Sequence, residues 1–267
     1  MATSFDTSQT NGRHIALLID ADNVSAAKLP AILSELSKYG TANVRRAYGD
    51  WTAPTLKGWT ALLQEYAVRP MQQFGYSKGK NATDMALVID AMEMLYTQQI
   101  AAFCIASSDA DFTPLVMHLR EAGKDVHGFG ERKTPQAFVS ACTTFLYLDD
   151  STPAASPDLA EKDDATPADT AQSAPKKPDR SLAMDTKLVQ VLRGAVEASA
   201  RDDGWAAMSA TGASVKRQAP IDPRNYGAKT FTELFSATGL FEIVKLEDGR
   251  VFVADKRNKD RAAKPAA

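Results

Sequence analysis

Residues 14–23, HIALLIDADN, decide how the rest of the chain is read. Ile15 to Ile19 form an unbroken apolar run, the mark of a strand buried on both faces, as in a parallel sheet. The run stops at Asp20, followed by Ala21, Asp22 and Asn23. Open α/β sheets bind ligands beyond the carboxyl ends of their strands. Asp20 is therefore a candidate functional group, and the question becomes which other residues the fold brings to it.

Strand and helix signals alternate outward from this stretch. VSAAKLPAILSELSKYG has helical spacing, with Asn23 or Ser25 as a candidate N-cap and Gly40 as a stop. A strand is expected around Val44 to Tyr48, then an amphipathic helix over TLKGWTALLQEYA. VRPMQQFG reads as a strand that Pro70 confines to an edge. The basic loop YSKGKNAT leads into the helical DMALVIDAMEMLYTQ. AAFCIASS is a second fully apolar strand and ends, like the first, in Asp-Ala-Asp. TPLVMHLREAG then predicts a helix with Thr113 as N-cap and Pro114 first inside it. A short strand at KDVHGFGE, a helix at TPQAFVSACTT and a strand at FLYL complete the pattern. Such alternation without hairpins predicts a doubly wound α/β domain with a mainly parallel sheet over 13–149, after a polar tail at 1–12.

Residues 150–180 are rich in Pro, Ala, Asp, Ser and Thr and cannot bury enough apolar surface to order themselves, so a disordered acidic linker is expected. From 181 the pattern resumes. LAMDTKLVQVLRGAVEASA predicts one helix, GWAAMSATGASVKRQAP a second, and the segment from Lys229 to Ala237 a third. GLFEIVKLEDGRVFVADK predicts a hairpin turning at Glu247-Asp248-Gly249. Three short helices and a hairpin suggest a small winged-helix (α+β) domain over 181–257, with a basic tail at 258–267.

The net charge of −2 hides an asymmetry. Residues 1–148 carry 13 basic and 14 acidic side chains, 149–179 carry 3 and 8, and 180–267 carry 15 and 11. The basic C-terminal part is compatible with a nucleic-acid partner. Cys104 and Cys142 lack disulfide or metal-ligand spacing and read as core thiols in a reducing compartment. The polar start shows no signal-peptide pattern and no apolar run approaches the ~18 residues of a membrane span, so a cytoplasmic protein without a membrane partner is expected.

Asp20 and Asp22 follow the first apolar strand, Asp109 and Asp111 the second, and Asp84 opens the helix after the basic loop. If the two apolar strands are neighbours, Asp20 and Asp109 face each other and Asp84 can complete the cluster. Crowded carboxylates repel unless a cation neutralises them, and oxygen ligands without His or Cys suit Mg²⁺ or Mn²⁺. Each acid also has a structural reading. Asp22 and Asp111 can cap or line loops, Asp84 can sit favourably on a helix dipole, and Asp90 faces away from Asp84. His118 and His127 show no ligand pattern.

IDADN at 19–23, KNATDMALVIDA at 80–91 and SSDADFTPL at 107–115 together resemble the NYN domain family, relatives of the PIN-domain ribonucleases. The resemblance covers about 13–149 and implies a PIN-like α/β fold and a Mg²⁺- or Mn²⁺-dependent phosphodiesterase acting on RNA. Carried over by motif, Asp20, Asp84, Asp109 and Asp111 are the implied catalytic and metal-binding acids, with Asn23 in the catalytic set and Ser107 supporting it. Ala82-Thr83 departs from the Gly-Val pair more usual there. The C-terminal segment resembles an OST-HTH (LOTUS) domain in Gly204-Trp205, Asn225-Tyr226-Gly227, Lys229-Thr230-Phe231 and Phe241. That resemblance implies RNA binding, including structured or G-rich RNA, and sometimes a protein partner. The candidate RNA contacts are Lys78 and Lys80 in the basic loop and Lys216, Arg217, Arg224, Tyr226 and Lys229 in the C-terminal domain. Trp205, Tyr226 and Phe231 can equally be core aromatics.

The reading that unites these signals is a metal-dependent ribonuclease with a tethered RNA-binding winged helix. Two alternatives stay open. One is a non-catalytic RNA-binding or adaptor protein, which a homodimer or protein partner would also suit. The other is a haloacid-dehalogenase-like phosphatase, since LLIDADNV fits that family's D-x-D-x-[TV] pattern with Asp20 as nucleophile.

Overall fold

The computed structural model describes residues 13–74, 81–149 and 180–265, and the chain divides into two compact units, 1–151 and 152–267. The expected tail at 1–12, the loop lysines Lys78 and Lys80, and the expected linker up to residue 179 lie outside the described residues.

In the first unit β1 (His14–Asp20), β2 (Thr41–Gly49), β3 (Arg69–Gln72), β4 (Ala102–Ala106), β5 (Asp125–Gly130) and β6 (Thr144–Tyr147) form one sheet. Its order is β3-β2-β1-β4-β5-β6, and all its pairings are parallel. The helices between them are α1 (Leu29–Leu36), α2 (Thr60–Glu65), α3 (Ala82–Thr97), α4 (Thr113–Glu121) and α5 (Gln136–Ala141). The two apolar runs take the central places because only there are both faces covered: β4 is buried throughout and β1 everywhere but His14. Strand alternation divides them between two cores. Ala16, Leu18, Phe103 and Ile105 pack with Leu87, Ala91 and Met94 of α3; Ile15, Leu17, Ile19 and Cys104 pack with Leu29, Ile32 and Leu36 of α1. Burying each Leu or Ile side chain fully contributes about 1.5–3 kcal/mol. β3, with Pro70, is an edge strand, where a missing N–H is tolerated.

Two local expectations change. The segment read as one amphipathic helix after Trp51 is a 3-10 turn at Pro54–Trp59 that runs into the short α2. Thr113 is not an N-cap: it is already helical, and its hydroxyl donates to Ala110 O at 2.6 Å. Burial of Phe112 starts the helical path one turn earlier, in a 3-10 turn at Ala110–Phe112 that Asp109 caps.

The second unit contains α6 (Arg180–Met184), α7 (Thr186–Ser199), α8 (Met208–Gln218) and α9 (Phe231–Thr238). Strand β7 (Ala206–Ala207) joins the hairpin of β8 (Phe241–Lys245) and β9 (Val251–Asp255) in an antiparallel sheet of order β7-β9-β8. The first helix expected from sequence is two helices. Asp185 interrupts it, adopting an extended backbone and accepting the Leu188 N–H at 3.0 Å as an N-cap. The basic stretch after β9 is no free tail over its described length. Ala262 N donates to Asp203 O, Trp205 Nε1 donates to Ala262 O at 2.9 Å, and Arg261 pairs with Glu242. Leaving the N–H of the fully buried Trp205 indole unpaired would be costly, and the returning chain supplies the acceptor.

Candidate active site

The sheet order reverses at β1 and β4. From β1 the chain winds outward through β2 and β3, then crosses to β4 and winds the other way. A crevice results beyond the carboxyl ends of these strands, where an open α/β sheet places its ligands.

Asp20 closes β1 on the side chain parity of Ala16 and Leu18, the face covered by α3. Its carboxylate is buried. Oδ2 accepts from Asn23 Nδ2 at 2.7 Å and from Ser107 Oγ at 2.8 Å, while among the described residues Oδ1 accepts only the longer bond from Asn23 N at 3.3 Å. Oδ1 thus keeps lone-pair capacity for another partner. Ser107 lies just past β4 and links the strands: its Oγ accepts from Asp109 N at 3.0 Å, and its own N–H donates to Phe129 O. Gly130 makes this approach possible, since a Cβ there would stand 2.7 Å from Ser107 O. Asp109 Oδ1 accepts the Asp111 N–H at 2.9 Å, and Asp111 Oδ2 accepts from Asn81 Nδ2 at 3.3 Å. Asn81 precedes α3, whose first turn carries Asp84.

The electrostatics bring the acids together more plainly than the hydrogen bonds do. Burial raises the Asp84 carboxyl to about 6, helped by the negative charges of Asp20, Asp109, Asp111 and Asp22. Burial also raises Asp20, against the opposing hydrogen bonds from Asn23 and Ser107. Acids from β1, the turn after β4 and α3 therefore share one field. Their oxygen-only chemistry suits a hard divalent cation, and their repulsion is the kind a cation relieves. Among the described residues, no three acidic, His or Cys side chains stand close enough to hold a metal as they are. The acids are gathered but not closed into a cage.

Two partners were not singled out from sequence. Asn81 ties the α3 end to Asp111, and Ser108 Oγ accepts the Glu131 N–H at 2.8 Å, pinning the turn to the end of β5. Their polar type was visible; their partners are remote in sequence and were not. Asp90 accepts from Arg46 at 2.6 Å and from the Tyr48 hydroxyl at 2.7 Å. His118 bonds Tyr96, and His127 bonds Thr144 while stacking on Tyr39.

In the C-terminal unit Lys216 and Arg217 are exposed on the last turn of α8, and Lys229 is exposed just before α9. Arg224 departs from the expectation of a free surface cation: its guanidinium pairs bidentately with Asp222, at 2.8 and 2.6 Å, because the turn at Pro223–Tyr226 folds the two together. Tyr226 and Phe231 are half-buried against the core, and Trp205 is fully buried. Lys245 of the hairpin is an exposed cation that sequence reading passed over, while Arg250 nearby is paired with Asp248.

A family model for the NYN domain matches residues 14–149, just over half of the chain. The chain belongs to the NYN domain family. That makes the first unit a PIN-like, nuclease-type domain with the six-stranded parallel sheet described above. An OST-HTH/LOTUS domain, an RNA-binding type of module, matches residues 180–253. Comparison with curated proteins returns no match. Among solved structures, a protein of unknown function from Vibrio parahaemolyticus RIMD 2210633 is 20% identical, with a TM-score of 0.45, over 54% of this chain and 98% of that one. No described helix is long and apolar enough to cross a membrane.

Proposed function

We propose that this NYN protein is a Mg²⁺- or Mn²⁺-dependent ribonuclease whose OST-HTH/LOTUS module holds the RNA. The observation that carries the reading is the convergence of acids at the β1/β4 switch point, registered in the raised Asp84 carboxyl. Asp20, Asp84, Asp109 and Asp111 would hold the cation. When bound, it supplies Lewis-acid stabilisation of phosphate oxygens and makes a neighbouring water more acidic.

The chain's own residues do the rest. Asn23 and Ser107 both hold Oδ2 of Asp20, which fixes the carboxylate and leaves lone-pair capacity on Oδ1. Asp109 is held by its bond to the Asp111 N–H, which orients its second oxygen. Asp84, half-buried and raised to about 6 by burial and by its acidic neighbours, would serve as a ligand of the cation or as the base for the attacking water. Lys216, Arg217 and Lys229 would meet the RNA backbone and position it without reading its sequence. Lys78 and Lys80 would do so near the acids. Structured or G-rich RNA is the substrate class that the C-terminal module favours.

A binding-only domain is the second reading, favoured by the lack of a finished cation cage among the described residues. The phosphatase reading finds no support in the family match. The test is incubation of the full chain with labelled single-stranded and structured RNAs in Mn²⁺, Mg²⁺ or chelator, beside Asp20→Asn. Metal-dependent products that the variant fails to make, while still binding RNA, are expected. Undiminished cleavage by Asp20→Asn would refute the assignment, and binding without products would establish the adaptor reading.

A further inference from the structure

The sheet register places a second feature beside the acids. Asp20 pairs across β1 and β2 with Tyr48, and Tyr48 pairs across β2 and β3 with Met71. Laterally paired residues of a parallel sheet project to the same face, so all three point toward α3. Adjacent strands lie about 4.8 Å apart, which puts Met71 roughly 10 Å from Asp20. Between this row and α3 opens a cavity of about 330 Å³, lined by Tyr48, Met71, Gln73, Ala82, Met85 and Ile89. Ala82 and Met85 belong to the same turn of α3 as Asp84.

The lining has a particular chemistry. Two methionines, an isoleucine and two alanines, Ala82 and Ala86, offer apolar contact, and methionine sulfur packs favourably against an aromatic ring. Met85 and Ile89 are more than half exposed, although apolar. The polar wall is already committed, because Asp90 is taken by Arg46 and by the Tyr48 hydroxyl. Gln73 differs. Its backbone N–H is fixed to Gly49 O at 3.1 Å, yet its side-chain amide makes no hydrogen bond to a described residue. That amide brings a donor pair and an acceptor to the mouth of an apolar slot. Its neighbour Gln72 is occupied on the opposite side with Asp50 and Trp51.

We infer that this cavity holds one unpaired nucleobase of a single-stranded RNA, stacked against Met71, Met85 and Ile89 and read on its edge by Gln73. The inference rests on the ribonuclease reading and adds a base-selecting subsite next to the cleaved phosphate. A planar ring with edge donors and acceptors suits a lining of apolar side chains beside the Gln73 amide, and sequence in RNA is read chiefly on unpaired bases. The separation from Asp20 is within the reach of a single nucleotide, so a phosphate in the crevice brings its base to the cavity. A base in a duplex has its edge paired and its faces stacked, so single-stranded segments or loops are the cleaved parts of the RNA under this reading.

Two surface variants test it, Gln73→Ala and Ile89→Trp, with circular dichroism confirming the fold. Cleavage of randomised single-stranded RNA is sequenced at its ends, and binding of homopolymeric oligo(A), oligo(C), oligo(G) and oligo(U) is measured in chelator. The wild type should favour one base beside the cut by about tenfold, the ~1.4 kcal/mol of a single edge contact. Gln73→Ala should flatten that preference, and Ile89→Trp should weaken the favoured oligonucleotide about tenfold by filling the slot. A preference kept intact by both variants, or none in an active wild type, overturns the subsite alone. If the wild type cuts nothing, the ribonuclease reading fails and the chelator binding decides the cavity: base-dependent affinity lost in the variants upholds it, and affinity equal in all three proteins overturns it.

Discussion

Asp84→Asn should make the NYN domain more stable near neutral pH and leave it unchanged in acid. In the fold this carboxyl is raised from 3.8 to about 6 by burial and by Asp20, Asp109, Asp111 and Asp22. A gap of about two units corresponds to ~3 kcal/mol at 1.36 kcal/mol per unit. Asp84 is partly exposed, so solvent screening reduces this to about 1–2 kcal/mol. Asn also forgoes the interaction of a negative charge with the α3 N-terminus, worth about 0.3–1 kcal/mol. A net gain of about 1 kcal/mol remains. Its pH dependence has a fixed sign. Between pH 3.8 and about 6 the folded domain binds more protons here than the unfolded chain, so the wild type loses stability as pH rises through that window. The advantage of the variant should therefore be present at pH 7.5 and absent at pH 3.5. Urea denaturation of the full chain at both pH values, following the NYN transition, measures it; the corresponding Tm shift is a few degrees. Millimolar Mn²⁺ should stabilise the wild type more than the variant, because the cation relieves the same repulsion. A variant less stable at pH 7.5 than the wild type would refute the picture of mutually repelling acids.

Three further outcomes follow from particular contacts. Trp205→Phe removes the indole donor to Ala262 O and should cost about 1 kcal/mol while exposing residues 258–265 to protease, as seen by limited trypsinolysis and mass spectrometry. Asp185→Ala removes the cap of α7 and should destabilise the C-terminal unit by about 1 kcal/mol in urea denaturation, with Asp185→Asn largely sparing it. Lys216→Glu with Arg217→Glu should weaken RNA binding and flatten its salt dependence, whereas Arg224→Ala should chiefly lower stability, since Arg224 is already paired with Asp222; filter binding at several salt concentrations separates the two.

The sequence by itself determined the centre of the fold. Two runs with no polar residue can be buried only in the middle of a sheet covered on both faces, so Ile15–Ile19 and Ala102–Ala106 had to become β1 and β4. Pro70 likewise marked β3 as an edge, whereas the placing of β1 directly beside β4, which sets Asp20 next to the Asp109 turn, came from the tertiary structure. Helix boundaries were less legible, because competing caps such as Asp185 and Asp109 are chosen by where Leu188 and Phe112 are buried. Tertiary structure alone decided the partners that are distant along the chain. Ser107 bonds Asp20 across 87 residues, Asn81 reaches Asp111, and Trp205 finds its acceptor in Ala262. It also decided that Arg224 is spent on Asp222 and that Tyr48, Met71 and α3 enclose a cavity. Periodicity records which face of an element is apolar. A hydrogen-bond partner or a cavity depends on how separate elements are placed in space, and no local pattern encodes that.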